Sequence, residues 1–255
     1  MTGKRFQKLH LSKIGKIPIR MHREAKGNIK QIVVKKYPSG KWFAIVCMDG
    51  IELQESQKNE KVGIDLGTIN FAYDSDGNNV GHPKFLNKSL EKLRMEQRKL
   101  AKKKKSSMNF QKQKIKVARM HEKITNQRND FLHKLSRKYV DSYGFIAVER
   151  LNIKELIMKS YNSRNMMDAS WNKFLRFLEY KAESAGVQVV RVEPRGTTQK
   201  CSNCGREVTK KLWNRMHNCS CGLEIDRDFN SAKNILLLGL EQAFKPLETE
   251  PLPVR

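Results

Sequence analysis

Residues 61–77, Lys-Val-Gly-Ile-Asp-Leu-Gly-Thr-Ile-Asn-Phe-Ala-Tyr-Asp-Ser-Asp-Gly, set an acid where an acid is unfavourable. Asp65 has apolar neighbours on both sides, as in a buried strand, and burying a carboxylate without a partner is costly. Apolar runs lie on either side of Gly67, and Asp74-Ser-Asp-Gly77 is a turn signal. The stretch predicts strand, turn, strand, turn, with a third strand over Val80 to Phe85. An antiparallel start to a sheet results.

Downstream, Lys88 to Lys138 holds eighteen Lys or Arg against four Asp or Glu. Leu90, Leu93 and Leu100 recur at helical spacing, as do Val117, Met120, Ile124, Phe131, Leu135 and Tyr139. Lys102 to Ser107 interrupts the pattern. The reading is two antiparallel helices joined near Ser106 and Ser107, with one apolar seam and basic outer faces. A solvated hairpin without a ligand usually mixes both signs of charge, and here one sign dominates. Gly144-Phe-Ile-Ala-Val-Glu149 is a strand of the buried type that ends on an acid. Asn152 to Asn165 reads as a polar, mobile loop. Trp171, Phe174, Leu175, Leu178, Ala182 and Ala185 share one helical face, which Asp168 or Ser170 can cap and Gly186 can end. Val187 to Val192 is the next strand, a final helix runs through Leu240, and a tail with three prolines covers Lys245 to Arg255. Antiparallel strands followed by strand–helix alternation make a mixed α/β layered pattern. Upstream, Ile17 to Arg20, Ile29 to Lys36 and Trp42 to Met48 read as short strands of a small basic β-barrel fragment or sheet, with Ile51 to Glu60 as a linker.

The last cysteines lie in Cys-Ser-Asn-Cys (201–204) and Cys-Ser-Cys (219–221). Thiolates in two close pairs are what a tetrahedral, structural zinc site needs, so Cys201, Cys204, Cys219 and Cys221 are the candidate ligands and His217 a spare. Cys47, alone in an apolar run, reads as a buried small hydrophobe.

A net charge of +25 points to a polyanionic partner, nucleic acid before an anionic membrane. Phosphate-tracking candidates are Lys102, Lys103, Lys104, Lys105, Lys112, Lys114, Lys116 and Arg119 in the hairpin, and Lys210, Lys211 and Arg215 between the cysteine pairs. No apolar run reaches the length of a spanning helix, and residues 1–16 lack the apolar core of a signal peptide. With cysteines at metal spacing, a reduced cytoplasmic setting is expected.

If the strands carrying Asp65 and Glu149 are neighbours, the two acids converge at one edge of the sheet, and the last helix can bring Asp228 to the same point. Carboxylates so gathered supply hard oxygen ligands for magnesium or manganese. Two such ions about 4 Å apart can activate a water and stabilise the leaving oxygen of a phosphodiester. Each acid also has a structural alternative: Asp65 holding the Gly67 turn, Glu149 paired with Arg150 or a basic helix, Asp228 or Asp226 capping the last helix.

Three stretches, Val-Gly-Ile-Asp65-Leu-Gly-Thr, Ile-Ala-Val-Glu149-Arg-Leu-Asn and Asp226-Arg-Asp228-Phe-Asn-Ser-Ala-Lys-Asn-Ile, resemble the acidic motifs of the RuvC-like nuclease domain in the TnpB (OrfB) proteins of insertion sequences. Pro194-Arg-Gly-Thr-Thr-Gln-Lys-Cys-Ser-Asn-Cys-Gly205 is similar to the start of that family's zinc ribbon, and the basic hairpin to its helical insertion. The resemblance implies an RNase H-like fold with Asp65, Glu149 and Asp228 as metal-binding catalytic acids, DNA as target and an RNA guide. It implies a domain plan: a partial wedge-like β-barrel over 1–58, a RuvC-like core over 59–200 with the helical insertion at 88–138, a zinc ribbon over 201–222, the last helix with the third acid over 223–242, and an irregular tail over 243–255. Relatives of full length carry a longer barrel with a helical recognition domain. The chain is therefore expected to start within the last strands of that barrel, as a short copy or with a partner chain supplying the front. The second cysteine pair is one residue shorter than the family's usual spacing.

The expectation is a metal-dependent DNA endonuclease of a mobile element, guided by RNA. A catalytically silent nucleic-acid-binding protein of the same family is the alternative. Gly63-Ile-Asp-Leu-Gly-Thr68 also looks like a phosphate loop of actin-like ATPases, but no second glycine-rich loop accompanies it.

Overall fold

The computed structural model describes residues 7–22, 27–49, 56–152, 155, 156, 158, 163–194, 196–211 and 213–244. The expected tail from Lys245 lies outside these residues, as does part of the expected loop at 152–165. The chain divides into two compact units, Met1–Glu52 and Leu53–Arg255.

The first unit contains two hairpins. Strands β1 (Gln7–Leu11) and β2 (Gly15–Ile19) pair antiparallel, as do β3 (Asn28–Lys36) and β4 (Trp42–Asp49). Each pair is a separate two-stranded sheet, so among the described residues no barrel wall is formed. The unit ends before residue 58 because the following segment packs on the second unit. The Lys58 ammonium donates to the Val140 carbonyl at 2.7 Å, and a Cβ on Gly144 would lie 1.9 Å from the Lys58 carbonyl oxygen. Cys47 is exposed in β4, against the expectation of a buried thiol, because among the described residues its strand has only one neighbour.

The second unit is a mixed α/β fold around a five-stranded sheet in the order β7-β6-β5-β8-β9. Strands β5 (Lys61–Asp65), β6 (Asn70–Asp74) and β7 (Asn79–Gly81) are antiparallel neighbours. Strands β8 (Phe145–Glu149) and β9 (Gln188–Val192) run parallel to β5, with Ile64 opposite Val148. Strand β7 stops short of the expected Phe85. Lys84 turns the chain in the left-handed region, and Phe85 opens helix α1 (Phe85–Ala101). Helix α2 (Met108–Ser142) follows, capped by the Ser107 hydroxyl, which accepts from the Phe110 amide. Two shorter helices, α3 (Ser163–Ala169) and α4 (Trp171–Ser184), precede β9. Ser170 is the N-cap residue of α4, as expected, but neither expected side chain makes the capping bond: the Ser170 hydroxyl donates to the Met167 carbonyl, and Asp168 accepts from the Leu86 amide and pairs with Arg128.

Side chains alternate across the sheet. Val62, Ile64, Ile146 and Val148 face one side, packed with Leu132, Tyr139 and Val140 of α2 and Phe174, Leu175 and Leu178 of α4. Phe145 and Ala147 face the other, against Ile235 and Leu236 of the last helix, α5 (Arg227–Phe244). By the same period of two, Asp65 and Glu149 belong to the α5 side. That helix lies directly on the strands because two glycines make room. A Cβ at Gly63 would come within 2.2 Å of the Ala232 carbonyl oxygen, and one at Gly239 within 2.5 Å of the Ala147 Cβ. Among the described residues, no helix is long and apolar enough to cross a membrane.

Candidate active site and cysteine centre

Asp65 and Glu149 end adjacent parallel strands on one face of the sheet. Ala232 sits over Gly63, two residues before Asp65 along the strand, and Asp228 lies one helical turn before Ala232. The three acids therefore converge at the C-terminal edge of β5 and β8. Burial is the main cause holding the Asp65 carboxyl well above the usual range; the charges of Glu149 and Asp228 add to it, while Arg227 and Arg215 oppose it. Among the described residues, Asp65 takes no hydrogen bond and no ion pair. The amide of the Gly67 turn goes to the Phe71 carbonyl instead.

Glu149 is 6 % exposed and, among the described residues, accepts one hydrogen bond, from the Thr197 hydroxyl at 2.6 Å. Burial raises its pKa, and the Thr197 bond pulls it back in part. Arg150, its sequence neighbour, pairs with Glu193 at 3.0 Å. Asp226 caps α5, accepting from the Asp228 amide at 2.7 Å and the Phe229 amide at 3.4 Å. The Asp228 side chain is thereby left for other partners: it pairs with Arg215, which reaches across from the segment between the cysteine pairs, and more loosely with Arg227 at 3.7 Å. The structural alternatives for the three acids thus fall to other residues.

The four cysteines form a compact group. Sγ of Cys201 lies 3.7 Å from that of Cys221, and Sγ of Cys204 lies 3.5 Å from that of Cys219. All four sulfurs are within 4.8 Å of one another, the only such group of His, Cys, Asp or Glu ligand atoms among the described residues. A tetrahedron with Zn–S bonds near 2.3 Å has edges of about 3.8 Å, so spacing and donor chemistry both fit zinc. The thiols share their protons: hydrogen bonds from the Leu223 amide and the Asn203 side chain hold the Cys221 thiol down to about 6, while, against a backbone hydrogen bond at Arg206, burial and the neighbouring sulfurs push that of Cys204 up to about 11. The shorter second pair still closes, because Gly222 takes φ +91° and returns its amide to the Cys219 carbonyl at 2.9 Å. Strands β10 (Met216–Asn218) and β11 (Glu224–Asp226) flank this knuckle and lead into α5. His217 stands outside the sulfur group, fully buried, with Nδ1 against the Lys210 ammonium.

The acids differ from the cysteines in one respect: they are not gathered to a common ligand distance. Their chemistry nonetheless suits a hard dication. Three mutually repelling carboxylates, one of them unpartnered among the described residues, are balanced only in part by Arg215 and Arg227.

The candidate phosphate contacts fall into two groups. Lys102, Lys104 and Lys105 are exposed between α1 and α2 with Lys103 partly covered, and Lys112, Lys114, Lys116 and Arg119 are exposed on α2. Lys116 is engaged by Glu96 at 3.0 Å. Lys211 lies over the Trp213 ring, Lys210 contacts His217, and Arg215 turns inward to Asp228. Sequence reasoning missed Thr197 and Glu96. Glu96 carried a signal, an acid at helical spacing between Leu93 and Leu100; Thr197 lay inside the quoted 194–205 stretch, with nothing there to link it to Glu149.

Residues 31–159 match the insertion-sequence family OrfB_IS605, described as "Probable transposase". The chain belongs to this family. Residues 171–235 match a second description, "Cas12f1-like, TNB domain". Similar proteins include the "Putative RNA-guided DNA endonuclease InsQ" of Escherichia coli K12, 30 % identical over 96 % of this chain and 67 % of that protein. A "Putative RNA-guided DNA endonuclease" of Streptomyces pristinaespiralis is 34 % identical over 82 % of this chain and 52 % of its own length. The chain thus spans between about half and two thirds of the length of these relatives. The fold is similar to that in a solved Cas12f1–sgRNA–target DNA complex, with a TM-score of 0.51 at 18 % identity over 80 % of this chain and 55 % of that one.

Proposed function

We propose that this chain is a divalent-metal-dependent DNA endonuclease of a mobile element, guided by RNA. The observation that carries the reading is the convergence of Asp65, Glu149 and Asp228 at one sheet edge, with Asp65 left without a partner among the described residues. On this reading the sheet is RuvC-like, the helices α1 and α2 are an inserted basic hairpin, and residues 201–222 are a zinc ribbon inserted before the third acid. Names borne by the relatives, RNA-guided DNA endonucleases, support the substrate class.

Asp65, Glu149 and Asp228 would hold magnesium or manganese. A divalent cation bound there supplies an activated water and charge stabilisation at the leaving oxygen of a phosphodiester. The protein contributes a preformed acidic edge, held by the glycine-spaced contact of α5 on β5 and β8. Cys201, Cys204, Cys219 and Cys221 would hold zinc in a purely structural role. Lys102 to Lys105, Lys112, Lys114 and Arg119 would follow phosphates, joined by Lys210 and Lys211, with base pairing to the guide supplying sequence.

The test is direct. RNA that copurifies with the expressed chain is sequenced, and the complex is incubated with magnesium and matching single-stranded DNA beside an Asp65→Ala variant. Cleavage by the wild-type chain alone is expected. Equal cleavage by both removes the catalytic assignment, and absence of bound RNA removes the guided one. Tight DNA binding without cleavage in either protein would favour the alternative of a catalytically silent binder.

A further inference from the structure

Among the described residues Glu149 is met by a single hydroxyl, and that hydroxyl is held by the last helix. The Thr197 side chain, 2 % exposed, donates to Glu149 Oε1 at 2.6 Å and lies 3.1 Å from the Pro194 carbonyl oxygen. Thr197 sits in a tight turn, where the Lys200 amide returns to the Gly196 carbonyl at 3.0 Å. Two buried asparagines of α5 fasten this turn. The Asn234 amide donates to the carbonyls of Thr197 at 2.8 Å and Lys200 at 2.7 Å. The Asn230 amide donates to the Lys200 carbonyl at 2.7 Å, and its oxygen accepts from the Ser202 amide at 2.9 Å. Asn230 lies on the helix that carries Asp228, and Ser202 follows Cys201, the first cysteine of the sulfur group. Glu149 finds no other hydrogen-bond partner among the described residues.

We propose that Thr197 is a positioning residue: its hydroxyl fixes the Glu149 carboxylate so that the second oxygen stays open to a divalent cation, and the Asn230–Asn234 clamp ties that orientation to the cysteine knuckle. The proposal rests on the reading of Glu149 as a cation-binding acid. A buried carboxylate that loses its only donor must turn toward another partner or give up its charge. Thr197 touches neither substrate nor cation; it acts through Glu149. The last helix and the cysteine knuckle then set the second and third acids together.

The experiment compares wild type, Thr197→Val, Thr197→Ser and Asp65→Ala as zinc-loaded full chains with copurified RNA. Manganese binding is measured by calorimetry, zinc content by elemental analysis, DNA affinity at fixed salt, and cleavage across a magnesium series. Thr197→Val keeps the shape without the hydroxyl. It is expected to bind manganese roughly 10- to 100-fold more weakly, the usual effect of losing an outer-shell partner, and to need correspondingly more magnesium for cleavage. Its zinc content and DNA affinity stay at wild-type values, and Thr197→Ser restores manganese binding. Wild-type manganese affinity in Thr197→Val overturns the proposal. So does a Thr197→Ser variant as weak as Thr197→Val, which would show that the hydroxyl alone does not hold the carboxylate, or loss of zinc from Thr197→Val, which would make the residue part of the knuckle's own support. If Asp65→Ala binds manganese like wild type, the reading of the acidic edge itself fails; if Asp65→Ala alone loses it, only the role of Thr197 does.

Discussion

Glu96 lies on the seam between α1 and α2, 2 % exposed, in the most basic part of the chain. It accepts from Gln113 at 2.8 Å, Lys116 at 3.0 Å and Lys99 at 3.0 Å, and these donors, Gln113 first, hold its carboxyl down to about 2. Asp65 lies on the edge of the sheet, takes no hydrogen bond among the described residues, and faces two further carboxylates. Burial and like charge push it the other way. The first acid is completed by its own chain and fastens one helix to the other. The second is left incomplete, and that is what a site for an external cation needs before the cation arrives.

The sharpest way to break this comparison is to remove the charge of Asp65 and keep its shape. Asp65→Asn should lower cleavage by more than the roughly 100-fold typical of an outer-shell partner, since it removes a proposed ligand itself. The same change should make the cation-free chain more stable at neutral pH. Because the folded pKa is raised, the folded chain holds this proton more tightly than the unfolded chain does, so stability falls as pH rises from about 3.8 through the raised value. Each pH unit across that window is worth about 1.4 kcal/mol, and asparagine does not incur it. Thermal melts at neutral pH without divalent ions check the sign; a lower melting temperature for Asp65→Asn would sink the contrast with Glu96. A second, smaller effect follows from mass action: magnesium or manganese should raise the melting temperature of wild type and leave that of Asp65→Asn unmoved.

Glu96→Gln should reverse the pattern. It leaves the cation-dependent stabilisation of the acidic edge intact and lowers the melting temperature, because Lys99 and Lys116 lose their shared partner. The pH dependence has the opposite sign from that of Asp65. With a folded pKa near 2 against an ordinary 4.5, the contribution of Glu96 is full above about 4.5 and is lost as pH falls toward 2. Acid melts of wild type and Glu96→Gln should therefore converge below pH 4.5; a gap that persists unchanged to pH 2 would mean that the ionised carboxylate is not what joins the helices.

How much of this was legible in the chain follows from which interactions are local. The strand over Lys61–Asp65, the apolar strand ending at Glu149 and the helix over Trp171–Ser184 all announce themselves by period and composition. So do the cysteine pairs, whose ligands lie close together in sequence. The place of Asp65 beside Glu149 needed one further supposition, that their strands are neighbours, and the parallel register provides it. Gly63 was silent, because its meaning lies in a helix backbone that arrives from residue 232. Thr197 was silent for the same reason: it meets Glu149 across 48 residues of chain. Asp226 and Asp228 could each have capped the last helix, and only the hydrogen bonds from two backbone amides separate them. The expected barrel fragment or sheet is represented, among the described residues, by two hairpins without a shared ladder.

The contrast between satisfied and unsatisfied charge also applies to the lysines, where the expected effects are smallest. Lys102, Lys103, Lys104 and Lys105 stand together between the helices, whereas Lys116 is held by Glu96. A cation that contacts a phosphate releases counterions, contributing about 0.9 to the slope of log affinity against log salt on duplex and about 0.7 on single strands. Replacing all four lysines of the 102–105 cluster by glutamine should therefore flatten that slope by up to about 3 to 4 on duplex. Lys116→Gln should change it by much less than one such contact, because its ammonium already serves Glu96, and its cost should appear in the melting temperature. Binding isotherms at four salt concentrations separate the two variants. Equal slope changes per lysine would mean that Glu96 releases Lys116 when nucleic acid binds, and the hairpin acid would then belong to the binding surface as well as to the fold.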